Sequence, residues 1–471
     1  MPEASLQAAP LRVAIIGSGP SGFYAADALL KQTQVAVEVD LFDRLPTPYG
    51  LVRGGVAPDH PKIKEVTRTY DRTAEDPRFR FYGNVEFGAD LKLSDLKAHY
   101  HAIIYAVGAQ TDKHLGIPGE DLPGSYAATE FVAWYNAHPD YRDCGFDLSG
   151  KRAVVIGNGN VAMDVARILA RSADELRTTD IADYALDALA HSNITEIIML
   201  GRRGPAQAAF TNKELKEFGE LSISDVIVDP VEGRPDAATL AWLKNNHDAE
   251  VEKNLATLEE YIQCPPSGKP RRIIMRFLVS PVELIGNGKV EAIKIVKNQL
   301  EPALDGSLRA KATTETETLP VDLVFRSIGY KGIPLPGVPF DNKAGIIPNQ
   351  AGRVFDPNAQ KIVVGEYCTG WIKRGPSGVI GDNRKDSKDT VTQLLEDVPN
   401  LPALDPALAT RASVEALLAQ RKPDYVTYDD WKRLDQVELA NGTAVGRPRL
   451  KFSRIADMLN AIRHARQAST S

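Results

Sequence analysis

The chain has 471 residues, a formal net charge of −6, 43% hydrophobic and 25% charged residues. That length suits two to four domains with sizeable cores, and the acidic balance speaks against nucleic acid as a bulk partner. Three cysteines, Cys144, Cys264 and Cys368, stand far apart with no CxxC; this excludes a cysteine-ligated cluster and a CxxC disulfide, and fits a reducing compartment.

The first ten residues, MPEASLQAAP, lack the basic and apolar stretches of a targeting peptide, and no run is long enough to span a membrane. The expectation is a cytoplasmic protein, or a mature organelle form, with no integral membrane segment and no metal.

An apolar β-rich run then enters the turn Gly17-Ser18-Gly19-Pro20-Ser21-Gly22, followed by a helical pattern. In this arrangement Gly17 permits the tight turn and Gly19 lets the backbone approach a pyrophosphate. Gly22 lets helix and strand pack closely, and the helix N-terminus receives the phosphates. Residues 35–42 predict the second strand, and Asp43 at its end can accept hydrogen bonds from ribose hydroxyls. NAD or FAD fits this site; a glycine turn without a ligand is the plainer alternative. The following stretch 44–61 is rich in Pro and Gly but carries Leu51, Val52 and Val56. It reads as an apolar wall over a planar cofactor, or as a stiffened surface loop.

Two segments, HAIIYAVGA (101–109) and VDLVFRSIGY (321–330), each read as a buried strand ending in a small residue and Gly. They mark chain crossings between nucleotide domains. The predicted architecture is α/β with two Rossmann-like domains. One is discontinuous, 1–108 plus 331–471, and holds the other, 109–330, as an insert.

Inside the insert the fingerprint recurs as Gly157-Asn158-Gly159-Asn160-Val161-Ala162, with Ala in the third place. Asn158 and Asn160 can donate to phosphate or amide oxygens. The next strand, in ITEIIMLGRRGP (194–205), ends on Arg202 and Arg203 rather than an acid. Guanidinium pairs bind phosphate, so this site predicts NADP over NAD. The turn and the arginines are unusually far apart, and a polar helix over 172–192 would fill the gap. Beyond the insert, YCTGWIKRGPSGVIGDN (367–383) offers Trp371 as a stacking platform and Gly375, Gly378 and Gly381 for close backbone approach. Residues 401–442 predict helices and 446–466 a basic closing helix, without chemistry.

The stretches GSGPSGFYAADALL, PTPYGLVRGGVAPDHPKIK, IGNGNVAMDVARIL, GRRGP with FTNKEL, and GWIKRGPSGVIG together resemble the adrenodoxin-reductase family of NADPH–ferredoxin reductases in its bacterial form. The resemblance runs through nearly the whole chain in order. It implies an FAD domain built from both chain ends with an NADP domain between them. It implies a ferredoxin–NADP+ reductase reaction: a hydride passes from NADPH to FAD, and single electrons pass to an acidic iron–sulfur ferredoxin. FAD contacts then fall on Ser21, Asp43, Leu51, Phe87, Trp371, Gly378, Val379 and Ile380. NADP contacts fall on Asn158, Gly159, Asn160, Val161, Arg202, Arg203 and Glu214, with Gly378 near the nicotinamide.

The resemblance also places His60 and Asp164 close to the nicotinamide, as groups that relay protons or orient its amide. The plainer alternatives are a loop histidine bonded to backbone and a first-turn helix acid. GKPRRIIMRF (268–277), with Lys269, Arg271, Arg272 and Arg276, is similar to the family's acceptor-docking stretch; a solvated charged face is the alternative. Three residues depart from the pattern: Asp43 replaces Glu, Phe87 a smaller aliphatic, and Asp382 Thr, the last bringing a negative charge near the flavin. A thioredoxin-reductase type lacks its CxxC here, and a glutamate-synthase small subunit lacks its cysteine-rich motifs. An NADPH-dependent flavin monooxygenase or oxidase, and a non-catalytic dinucleotide-binding module, stay open.

Overall fold

The computed structural model describes residues 10–468, so residues 1–9 and 469–471 lie outside it. Two compact units emerge. The first comprises residues up to Val56, His60–Thr111 and those from Tyr330 on; the second comprises Ala57–Asp59 and Asp112–Gly329. The divisions fall after Thr111 and before Tyr330, and the short segment 57–59 groups with the insert.

The first unit is built on a seven-stranded sheet. Its order is Asn349–Gln350, Arg353–Asp356, Lys361–Cys368, Ala102–Tyr105, Leu11–Ile16, Val37–Phe42, Phe79–Tyr82. All neighbours from Lys361–Cys368 to Phe79–Tyr82 run parallel. The strand Leu11–Ile16 is buried along its whole length, as a parallel strand covered on both faces must be. Chain order reverses between Leu11–Ile16 and Ala102–Tyr105, which opens the ligand crevice of a doubly wound sheet at the strands' C-terminal ends. The helix Pro20–Lys31 leaves that point with Pro20 in its first turn, where a missing N–H costs nothing.

The second unit repeats the plan on a six-stranded sheet ordered Ser125–Ala127, Leu323–Arg326, Arg152–Ile156, Glu196–Leu200, Arg271–Arg276, Ser224–Val228. Its reversal lies between Leu323–Arg326 and Arg152–Ile156, and the helix Asn160–Ala170 follows. Region 172–192 is two short helices, Ala173–Arg177 and Asp183–Ala190, rather than one polar helix; Leu176, Ala185, Leu186 and Leu189 are buried. A separate three-stranded antiparallel sheet, Val279–Ile285, Ala292–Pro302 and Leu308–Pro320, completes this unit.

The stretch 44–61 is not structureless. It contains the single-turn helix Leu51–Gly54, and a second one, Pro61–Lys64, begins at its end. The C-terminal region forms the helices Arg411–Arg421, Tyr428–Ala444 and Ile455–Ala468, so the closing helix starts nine residues later than its basic composition suggests. No described helix is long and apolar enough to cross a membrane.

Candidate active site

In the first unit Gly17 has φ of +105°, a region costly for side chains that carry a Cβ. A Cβ there would meet the Ala106 carbonyl oxygen at 2.6 Å. A Cβ on Gly22 would meet the Gly17 carbonyl oxygen at 2.1 Å, whereas one on Gly19 would meet nothing within 4 Å. So two of the glycines close the turn and the third faces open space, the cradle a pyrophosphate needs. Asp43 stands at the end of its strand, and one carboxylate oxygen accepts from the Ser18 amide at 2.9 Å and the Ser18 hydroxyl at 2.5 Å. The other accepts from the Leu45 amide at 2.9 Å. The acid is thus fixed beside the turn by a residue of the turn itself.

The structure places Ser21 in the first turn of the helix Pro20–Lys31. It is buried, and its hydroxyl donates to Asn383 Oδ1 at 3.0 Å. What Ser21 offers a phosphate is its backbone N–H in the helix's first turn, beside that of Gly22 and after Pro20, which has none.

Around the flavin-assigned positions, Leu51 and Val379 are large apolar side chains left 42% and 57% exposed. Phe87 is half-buried with its ring 6.0 Å from that of Tyr105. Trp371 lies 5.3 Å from Tyr330, ring to ring, and its indole N–H donates to the Ser377 carbonyl at 3.2 Å. In the loop Gly378–Val379–Ile380, the Val379 N–H is taken by Asp382 Oδ2 at 2.7 Å. The charge that replaces Thr is therefore turned onto the loop's own backbone. Exposed apolar groups and a glycine cradle beside a fixed acid fit FAD.

In the second unit Gly157 has φ of +131° and packs on Ser327, whose carbonyl oxygen a Cβ would meet at 2.2 Å. Gly159 faces open space, with only Ala209 Cβ at 4.0 Å, and Ala162 is fully buried. The Asn158 carbonyl accepts from Ala209 N at 3.1 Å, and Asn160 Oδ1 accepts from Thr211 N at 2.9 Å. Val161 is half-buried in the helix's first turn. Arg202 and Arg203 follow the strand Glu196–Leu200 and Gly201. Among the described residues neither guanidinium has a carboxylate partner. Burial, and then the Arg202 charge beside it, lower the Arg203 pKa. Two adjacent cations without a carboxylate counter-ion suit the charge of a phosphate.

Asp164 and Glu214 meet in this unit through a residue the sequence reading passed over. Arg167 is fully buried; it binds Asp59 at 2.7 Å, Asp164 at 2.5 Å, Glu214 at 2.9 Å and Glu217 at 3.4 Å. Burial opposes its charge, yet Asp164, Asp59 and Glu214 raise its pKa well above the usual value. Asp164 is not a first-turn acid, since the first turn of Asn160–Ala170 carries none. Nothing in the spacing of Arg167 announces this hub; an arginine on the buried face of a helix is the only signal. His60 belongs to the first unit, is buried, and precedes Pro61–Lys64 without capping it through its side chain.

The segment 268–277 is not a free basic face. Arg271–Arg276 is an interior strand of the sheet. Arg272 pairs with Glu196 while remaining 51% exposed. Arg276 binds Glu232 at 2.8 Å and Glu317 at 3.0 Å and is 17% exposed. Lys269 Nζ donates to the Leu221 carbonyl at 2.6 Å, and Arg271 to the Leu169 and Arg171 carbonyls.

Two doubly wound domains in one chain, each with a glycine turn between strand and helix, define an FAD- and NADP(H)-binding oxidoreductase. The family of pyridine nucleotide-disulphide oxidoreductases matches residues 11–200. NADPH-ferredoxin reductase FprA of Mycobacterium leprae is 49% identical over 95% of this chain and 97% of its own. The mitochondrial NADPH:adrenodoxin oxidoreductase of Salvelinus fontinalis is 41% identical over 98% and 92%. The solved structure of Mycobacterium tuberculosis FprA in complex with NADPH superposes with a TM-score of 0.90 at 47% identity, covering 96% of this chain and 99% of that one. The chain belongs to the NADPH–ferredoxin reductase family that includes adrenodoxin reductase.

Proposed function

We infer that the chain is an NADPH:ferredoxin oxidoreductase that uses FAD. The observation that carries this reading is the pair of unlike nucleotide sites in one chain: Asp43 locked to the first glycine turn, and Arg202–Arg203 at the strand end of the second. The chemistry supplied by bound FAD is conversion of a hydride from NADPH into single electrons for the acceptor.

The protein's share is to bind and orient. Gly19 and the N–H groups of Ser21 and Gly22 receive the FAD pyrophosphate, and Asp43 accepts from ribose hydroxyls. The Gly157–Ala162 turn receives the NADP pyrophosphate, and Arg202 and Arg203 select the 2′-phosphate. His60 and Asp164 are proposed to orient the nicotinamide amide or carry its protons, with Asp164 paired to Arg167 at 2.5 Å.

The acceptor is proposed to be an acidic iron–sulfur ferredoxin met in the cytoplasm. Docking on Arg272 and Arg276 is supported by the half-exposed Arg272 guanidinium; Arg276 contributes less, because Glu232 and Glu317 bind its charge. The experiment is NADPH-driven cytochrome c reduction with and without added ferredoxin. Strict dependence on ferredoxin supports the reductase. Rapid oxygen consumption without any acceptor supports the monooxygenase or oxidase instead, and the absence of flavin bleaching by NADPH supports a binding module.

A further inference from the structure

The C-terminal helix Tyr428–Ala444 carries a fully buried carboxylate that the reaction does not use. Glu438 accepts from Arg53 Nη1 at 2.8 Å and Nη2 at 2.5 Å, from Arg449 at 2.9 Å and from the Phe452 amide at 2.9 Å. Its side chain is 0% exposed. Burial pushes its pKa up, but Arg53 and Arg449 outweigh that and hold it below the ordinary value. Such a pair is stable only with every lone pair answered, and here each is.

Arg53 lies in the stretch Tyr49–Gly55, beside the first fingerprint. Its guanidinium also sits over the buried Trp431 ring, 5.1 Å from the centroid. The Trp431 indole N–H donates to the Tyr49 hydroxyl at 3.3 Å. That hydroxyl donates to Asp71 at 2.6 Å and lies 2.9 Å from the Tyr428 hydroxyl.

Tyr49 has φ of +85°, a genuine outlier for a bulky side chain, and such strain persists only where the surroundings over-determine it. Its amide donates to the Ser18 carbonyl at 3.0 Å. A Cβ on the next residue, Gly50, would meet Gly19 Cα at 2.9 Å. The strained turn is therefore pressed on the glycine that faces the pyrophosphate, and Leu51 follows it with its side chain exposed.

We propose that Glu438 is a positioning residue for FAD, which through Arg53 and together with Trp431 clamps the turn Tyr49–Gly50–Leu51 against the first fingerprint. The proposal rests on the FAD reading of that fingerprint. It gives the C-terminal helices a part in cofactor retention.

The test uses the full-length chain, stripped of flavin and titrated with FAD, for wild type and for Glu438→Gln, Glu438→Asp, Arg53→Lys and Trp431→Phe. Dissociation constants come from flavin fluorescence, and the visible absorption band reports the flavin environment. Glu438→Gln should weaken FAD binding about tenfold or more, the loss typical of a hydrogen bond to a charged group. It should also alter the band, with part of the affinity restored in Glu438→Asp and NADP+ affinity unchanged. If Glu438→Gln does not fold, Arg53→Lys and Trp431→Phe read the same quantities. A lowered melting temperature with wild-type FAD affinity and an unaltered band would overturn the proposal and leave a merely structural ion pair. Wild-type protein that binds no FAD would instead overturn the functional reading.

Discussion

Asp43 and the Arg202–Arg203 pair are the residues proposed to divide two cofactors between two similar turns. In the proposed reading Asp43 repels a 2′-phosphate and accepts from free hydroxyls, while the arginines attract that phosphate. Replacing both arginines with Ala removes charge-assisted bonds worth about 1.5–3 kcal/mol each. The NADPH kcat/KM of that double variant should therefore fall by about a hundredfold or more, with NADH turnover little changed; steady-state kinetics with both coenzymes checks this. Gly22→Val puts a side chain where a Cβ already lies 2.1 Å from the Gly17 carbonyl oxygen, so the purified variant should be colourless while the second unit still binds NADP+. The places of these residues at turn and strand end were legible in the sequence because each glycine and charge has a fixed position along strand, turn and helix. Other site features were not. The Ser21 hydroxyl turns to Asn383, and Arg272 and Arg276 find Glu196, Glu232 and Glu317. Partners so distant in sequence leave no local pattern.

Elements show the same division. The strands Ala102–Tyr105 and Leu323–Arg326 were recognisable from their apolar runs. The structure explains the small residues after them: Gly17 rests on Ala106 and Gly157 on Ser327, so bulk there would push the fingerprint turns off the sheet. The strand Leu308–Pro320 escaped notice because most of its side chains are exposed and polar, leaving no alternating apolar face to read. On the helix Asn160–Ala170, Arg167 is the buried cation shared by four carboxylates. Arg167→Met leaves them buried against one another, at a cost of about 3–5 kcal/mol, and calorimetry should show a markedly lower melting temperature. On the helix Tyr428–Ala444 the sign of the pH effect follows from a lowered pKa. Glu438, held below its ordinary 4.5, contributes stability that is complete above that pH and fades as pH falls through its folded value. Flavin release, followed by fluorescence, should set in on acidification below about pH 4.5, and this acid dependence should flatten in Glu438→Gln.

At the scale of the molecule, a discontinuous first unit is what lets the C-terminal third of the chain reach the first fingerprint. Tyr428, Trp431 and Glu438 come from beyond the insert yet bind Tyr49 and Arg53. The sequence revealed the insertion through its paired strand–Gly signals, but gave the last helices no role, since buried charge on a mixed-composition helix looks like a solvated face until its partners are known. The central claim is that one chain holds FAD and NADPH as unlike ligands that exchange a hydride. Anaerobic titration of the purified protein, followed by its visible spectrum, tests it most directly. The account predicts a yellow protein with one FAD per chain, bleached by stoichiometric NADPH and far less readily by NADH. Protein that stays colourless after reconstitution with FAD, or that bleaches equally well with both coenzymes, would contradict it.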